Sequence, residues 1–386
     1  MSVHGAREQD EGGIRAWGAA RGAVTSMGLQ VLVLTRYGRT GASSRLRFLQ
    51  YLPGLAARGI EAHVAPFLDD VYLKELYGGQ RPSLQRVITF YSQRLKQLAR
   101  ANKYDVVWIE KEALPWIPAF IELSALRSVP VVMDFDDAWH LRYTESPNPL
   151  VRFTLTEKLG RLAKRADHVI VANKFLQNWA EGAGASAVRC VPTVVDLTRY
   201  EATPPPPPHP FTIGWIGTPE TVNYLKTIQG ALRQVLERGD TRLLLIGPSS
   251  THPSLPNVEA LPWSEGDETA LLQRIHVGIM PLQHGVWEYG KSAYKLVQYM
   301  AEARPVVASP VGANTDVVKE GVNGFFARTD SDWVECLERL RADPALASTM
   351  GAAARATVEA SFSLEATLPM IVEVLESAAR TARGAR

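Results

Sequence analysis

The chain has 386 residues, 46% of them hydrophobic, which at roughly 150 residues per domain is enough for two cores rather than one. Its 42 Lys and Arg against 40 Asp and Glu leave a net charge of +2, so the overall field gives no reason to expect nucleic acid or an acidic partner, and any anion site must be local. Two distant cysteines, Cys190 and Cys336, lack metal-ligand spacing and read as small core residues of a reducing compartment, with the cytoplasm as the expected location.

Residues 1–26 mix Gly, Arg and acids without an apolar run, and read as a flexible extension that is neither leader nor anchor. Leu29 to Thr35 is a leucine and valine run that stops at Gly38 and Gly41, as a buried parallel strand does. The stretch from Ser43 to Ile60 carries serines suited to capping and apolar residues at helical spacing, and Glu61 to Phe67 follows as a second strand. Asp105 to Glu110, Pro130 to Phe135 and His168 to Asn173 continue the alternation of strand and helix. Pro204 to Pro208, then His209 and Pro210, form a stiff linker over 204–210. Beyond it the pattern restarts with Phe211 to Gly217, Leu243 to Gly247, Val277 to Leu282, a helix around Tyr294 to Ala303, and Arg304 to Ser309. The reading is α/β, with Rossmann-like units over 27–203 and 211–363 that face each other across a cleft where open parallel sheets bind ligands. A last helix over 364–386 is expected to pack back on the first unit.

The stretch from Gly290 to Phe326 resembles the donor-binding region of retaining glycosyltransferases of family 4, the glycogen-synthase-like group of the GT-B fold. The resemblance is carried in order by Gly290, Lys295-Leu296, Gln298-Tyr299-Met300-Ala301, Pro305-Val306-Val307, Gly312 and Gly321-Val322-Asn323-Gly324. Ile213 to Leu225, Leu243 to Gly247 and the loop Gly38 to Arg47 support it. It implies a nucleotide-sugar donor, with UDP the commonest of the group, a retaining outcome, and no metal or other cofactor. The acceptor would be a glycan, a lipid-linked molecule or a small molecule.

The residues themselves give such chemistry its parts. Gly290, Lys291 and Ser292 lie between a strand and a helix, where free amides hold phosphate, and Lys291 and Lys295 share a helical face from which either could place a cation there. Gln298 stands where the family carries the second glutamate of a Glu–seven-residue–Glu pattern, which binds the ribose, and an amide can serve both hydroxyls. The first glutamate would fall on Gly290 and is absent, which leaves Glu288 as a substitute if the loop is reshaped. The Arg and Lys usual after the first donor-domain strand are also absent. Gly217, Thr218 and Thr221 would stabilise the diphosphate with the lysines, or Arg45 or Arg47 would reach across. Gly41 and Ser43 are expected at the donor from the first loop, with Ser43 and Ser44 equally able to cap the helix.

Asp134, Asp136 and Asp137 crowd three carboxylates at one strand end, a ligand-facing position in this architecture. Asp136 aligns with the family residue that contacts the donor sugar, and Asp134, Asp136 and Lys295 are the expected catalytic residues; the leaving phosphate can take the acceptor proton, so no protein nucleophile is required. The same Asp-x-Asp also resembles the first motif of haloacid-dehalogenase-like phosphatases, with Asp134 as nucleophile, Asp136 as acid and magnesium as cofactor, although Ala138 stands where Thr or Val is usual. A non-catalytic sugar-nucleotide-binding protein is the third reading. Trp139, Trp215, Trp263 and Trp287 near strand ends could stack on a base or sugar, or fill the core. His140 could serve the acceptor, or cap a helix. The basic, amphipathic stretch from Arg81 to Lys103 could rest peripherally on the inner membrane face, or be a solvated helix face.

Overall fold

The computed structural model describes residues 28–77, 79, 82–247 and 253–384, so the extension 1–26 and Arg81 lie outside the described residues. The first sheet holds β1 (Leu29–Leu34), β2 (Ile60–Val64), β3 (Val106–Glu110), β4 (Val131–Phe135), β5 (His168–Val171) and β6 (Val188–Cys190), in the order β2-β1-β3-β4-β5-β6. The second holds β7 (Phe211–Ile216), β8 (Thr241–Ile246), β9 (Val258–Leu261), β10 (Val277–Met280), β11 (Val306–Ala308) and β12 (Gly324–Phe326), in the order β12-β11-β10-β7-β8-β9. Every pairing between them is parallel, which requires crossovers and puts helices on both faces. This is the expected pair of Rossmann-like units. β6, β9 and β12 were not legible in the sequence: each is a short edge strand without a continuous apolar run.

Burial on both faces explains the near-continuous hydrophobic runs. Val31 and Val33 of β1 enter one core with Phe48, Trp108 and Ile170, while Leu32 and Leu34 enter the other with Leu98, Ile109 and Met133, following the strand period of two. The helix Leu364–Gly384 covers the first of these cores, placing Leu368, Ile371, Leu375 and Ala378 at three- and four-residue spacing against the N-terminal sheet. Tyr51 and Thr367 hydroxyls meet there at 2.8 Å. Where the chain crosses between sheets, Val195 N donates to Phe362 O at 3.1 Å and Leu364 N to Val195 O at 2.9 Å.

The single helix expected from Ser43 is three pieces, Ala42–Arg47, a 3-10 turn Leu49–Tyr51, and Leu52–Ala56. Pro53, lacking an N–H, sits in the first turn of the third piece, where no donor is needed. The basic stretch forms the helix Leu84–Leu98, capped by Ser83, and turns Phe90, Arg94 and Leu98 inward. Leu84 and Ile88 remain exposed on it. No helix among the described residues is long and apolar enough to cross a membrane.

Strand order reverses between β1 and β3 in the first sheet and between β7 and β10 in the second. Ligands of open parallel sheets bind at the carboxyl ends beside such reversals. The residues emerging there are Arg36 to Gly41, Glu110 to Glu112, Gly217 to Thr221 and Pro281 to Tyr289.

Candidate active site

Glu110, at the end of β3, is 1% exposed and accepts from Arg36 N at 2.7 Å, Ser43 Oγ at 2.6 Å and Ser44 Oγ at 2.5 Å. The two serines therefore spend their hydroxyls on Glu110 and do not cap their helix. Gly41 takes the cap position without a side-chain bond, and the Ser43 hydroxyl is committed to Glu110. Lys111 follows with φ 62°, a left-handed backbone that costs a β-carbon residue of order 1–3 kcal/mol. That conformation aims its ammonium at Asp136, 2.8 Å away, with Glu110 at 3.4 Å. Burial works against the charge on Lys111, yet Asp136, Glu110 and Asp137 hold its pKa above the ordinary value.

The acidic strand end splits into three environments. Asp134 is 1% exposed and paired through Oδ1 with Arg47 Nε at 2.9 Å, while its other oxygen has no partner. Burial pushes its pKa up to about 6, against the pull of Arg47. Asp134 and Arg47 thus form a buried pair within the N-terminal unit, which leaves Asp134 inaccessible as a nucleophile and Arg47 engaged away from the donor-side sheet. Asp136 keeps its carboxylate below the ordinary range because Lys111 outweighs its burial. Asp137 is half-buried and is pushed up to about 6 by burial and by Asp136. Among the described residues no group of three or more His, Cys, Asp or Glu is placed to hold a metal ion.

Across the cleft, Gly217 ends β7. A β-carbon there would come within 2.5 Å of Lys295 Nζ, so the glycine makes room for that cation. Lys295 donates to Thr221 Oγ1 at 3.3 Å and lies 4.3 Å above the buried ring of Trp215. Thr221 Oγ1 also accepts from Thr218 N at 3.1 Å. No carboxylate pairs with Lys295 among the described residues, and burial together with Lys291 lowers its pKa to about 7. A cation left unpaired while partly desolvated gains most when an anion arrives. Gly217, Thr218, Thr221 and Lys295, far apart in sequence, are thus brought together.

Lys291 lies near enough to act on Lys295, and the other predicted donor residues are engaged elsewhere. Leu296 is core, fully buried. Gln298 is 4% exposed and meets the Tyr200 hydroxyl, which itself donates to Glu268 at 2.6 Å. Glu288 accepts from Tyr224 Oη at 2.6 Å and is 6% exposed. Lys291 lies 5.5 Å over the Tyr224 ring, and Ser292 is half-buried beside it. Arg45 stacks 5.2 Å over Trp263, which bridges the two halves of the cleft. Trp287 packs against the N-terminal core. His140 lies 4.5 Å from Trp179 in a parallel stack and caps nothing with its side chain.

The loop containing Gly290 docks on the acidic strand end. A β-carbon on Gly290 would fall 2.6 Å from Ala138 N, and Asn173 Nδ2 donates to Lys291 O at 2.9 Å and to Tyr289 O at 3.3 Å. The family glutamate is therefore absent at a place where no side chain fits while the two halves are in contact. Gly290→Ala is expected to destabilise this closed arrangement by about 1–3 kcal/mol and to lower turnover more than Thr218→Ala does; equal unfolding midpoints and rates for wild type and variant would refute the contact. Glu110, Lys111 and Asn173 escaped sequence reasoning, although a charged triple directly after the buried run Val106 to Ile109 was a usable signal.

Two family models match the chain: "Glycosyltransferase Family 4" over residues 47–199 and "Glycosyl transferases group 1" over residues 210–343. No curated protein matches. Among solved structures the chain is similar in fold to Anabaena HepE in complex with UDP and glucose, with TM-score 0.67, 18% identity and coverage of 90% of this chain and 100% of that one. Sucrose-phosphate synthase from Thermosynechococcus elongatus gives TM-score 0.64 at 15% identity, over 93% and 100% of the two chains. A glycosyltransferase from Rickettsia africae gives 0.64 at 14%, over 91% and 98%.

Proposed function

We propose that this chain, which is a glycosyltransferase of the GT-B fold, takes a UDP-sugar in the cleft and transfers the sugar with retention of configuration to an acceptor held on the N-terminal side. One observation carries the donor side: Lys295 stands as an unpaired, partly desolvated cation at the end of β7, beside Gly217 and the Thr218 and Thr221 hydroxyls. The diphosphate lies against these groups, which neutralise the charge that grows on it as the glycosidic bond breaks. UDP is favoured because HepE was solved with UDP-glucose as well as with UDP. No protein nucleophile or metal is assigned.

On the opposite wall Asp136 acts as an ionised hydrogen-bond acceptor that orients a sugar or acceptor hydroxyl. Lys111 keeps it charged, and the leaving phosphate takes the acceptor proton. Asp136→Asn is expected to lower transfer about 100-fold while changing donor affinity less than threefold, because the amide keeps the shape but loses the charge. Thermal shift against UDP-, GDP-, ADP- and TDP-sugars in EDTA tests the donor directly. Stabilisation by the UDP-sugars alone is the expected result, and a response that appears only with added magnesium would overturn the reading.

A further inference from the structure

We infer that the guanidinium of Arg142, held between Trp116 and Trp139, binds a phosphate or carboxylate group of the acceptor. This rests on the transferase reading above and supplies the acceptor class.

Arg142 is exposed, and its guanidinium carbon lies 4.7 Å from the ring centroid of Trp139 and 5.3 Å from that of Trp116. Among the described residues it has neither a carboxylate partner nor a side-chain hydrogen bond. The neighbouring cations are all engaged. Arg36 lies 3.6 Å from Glu112, Lys111 2.8 Å from Asp136, and Lys158 2.7 Å from Glu112 and 2.9 Å from Glu122. Arg142 is thus the cation of the group without a carboxylate partner among the described residues.

The Trp139 ring and the Trp116 backbone are held by hydrogen bonds, and the Trp116 ring meets that of Tyr143 edge-on at 5.2 Å. Trp139 Nε1 donates to Glu112 at 3.2 Å. Trp116 N donates to Tyr143 Oη at 3.0 Å, and that hydroxyl donates in turn to Glu112 at 2.8 Å. A guanidinium that lies over aromatic rings and makes no hydrogen bond of its own leaves the N–H groups along its edge available to an anion. A planar edge of this kind matches the two oxygens of a phosphate or carboxylate.

The position places that anion on the acceptor side. Trp139 follows Asp136 by three residues, and its ring lies 5.1 Å from the ammonium of Lys111, the group that holds Asp136. Lys295, the cation assigned to the donor, belongs to the opposite wall. The anion could be borne by a soluble sugar phosphate or by a lipid, and the exposed Phe120 (65%) and Phe153 (89%) in the same unit make both sources worth separating.

The test is calorimetric titration of the full chain saturated with UDP, so that the donor site is filled. The probes are glucose 1-phosphate against glucose, and octyl phosphate against octyl glucoside. In wild type at least one phosphate probe is expected to bind about tenfold or more tightly than its neutral counterpart. The preference is expected to vanish in Arg142→Gln, to survive in part in Arg142→Lys, and to persist in Lys295→Ala. Preference for glucose 1-phosphate supports a soluble acceptor, and preference confined to octyl phosphate a lipid one. No preference in wild type, or one that survives Arg142→Gln, overturns the proposal. The initial UDP titration reads the donor assignment separately: UDP binding without phosphate preference refutes the Arg142 site alone, and absence of UDP binding refutes the donor site alone.

Discussion

Replacing Lys295 by alanine is expected to weaken binding of a UDP-sugar by about 2–3 kcal/mol, or roughly 30–150-fold, and to remove most of its pH dependence. The sign follows from the free protein. Burial and Lys291 lower the Lys295 pKa to about 7, so above that pH the ammonium is increasingly neutral before the donor arrives. The diphosphate favours the charged form, so binding then takes up a proton. Wild-type affinity should be flat below about pH 7 and fall by up to tenfold per pH unit above it. A UDP-sugar is the right probe because its diphosphate diester does not titrate in this range. Calorimetry from about pH 6 to 9 checks both statements. A wild-type affinity that rises with pH, or a pH slope unchanged in Lys295→Ala, would remove Lys295 from the diphosphate.

Arg47→Met should produce the largest loss of stability. It strips the counter-ion from Asp134, which is 1% exposed and already has one oxygen without a partner, and breaking a buried pair from one side costs about 3–5 kcal/mol. The Asp134 pKa already stands at about 6, above that of an unfolded aspartate, because burial dominates. A carboxyl raised by folding favours the native state only when protonated, so its effect on stability is most adverse above its folded pKa. Without Arg47 that pKa rises further, and the loss should be larger at about pH 8 than at pH 5. Urea unfolding at the two pH values measures this. In the double variant Arg47→Met, Asp134→Leu, which leaves no buried charge, most of the loss should return. Equal losses at both pH values would show that packing of the Arg47 stem, rather than its charge, is what matters.

Legibility in the sequence followed the range of the interaction. Val31 and Val33 on one face and Leu32 and Leu34 on the other make β1 visible as a doubly buried strand, because the pattern is complete within a few residues. Gly217 and Lys295 stand out separately in the sequence, and the fold brings them together. Asp134 and Asp136 look equivalent on paper. What separates them is Arg47 from a helix 87 residues earlier and Lys111 from the end of the neighbouring strand, and no local pattern carries that information. Ser43 and Ser44 have the composition of caps, but Glu110, arriving from β3, claims both hydroxyls. Gln298 lies in register with the family motif, yet the helix Tyr294–Ala301 turns it toward Tyr200. The gap at Gly290 acquires a cause only once Ala138 is seen against it.

The backbone bonds joining Val195 to Phe362 and Leu364 have a mechanical consequence. The two crossings of the chain from one sheet to the other are tied together at this point, which would favour a swing of the halves about it over a slide, as two covers of a book swing on one spine. Separation during such a swing would grow with distance from that point, and the Asn173 bonds to the carbonyls of Lys291 and Tyr289 and the packing of Gly290 on Ala138 would have to open. Hydrogen exchange would register this as lasting protection of the Val195 and Leu364 amides through every opening that admits a ligand.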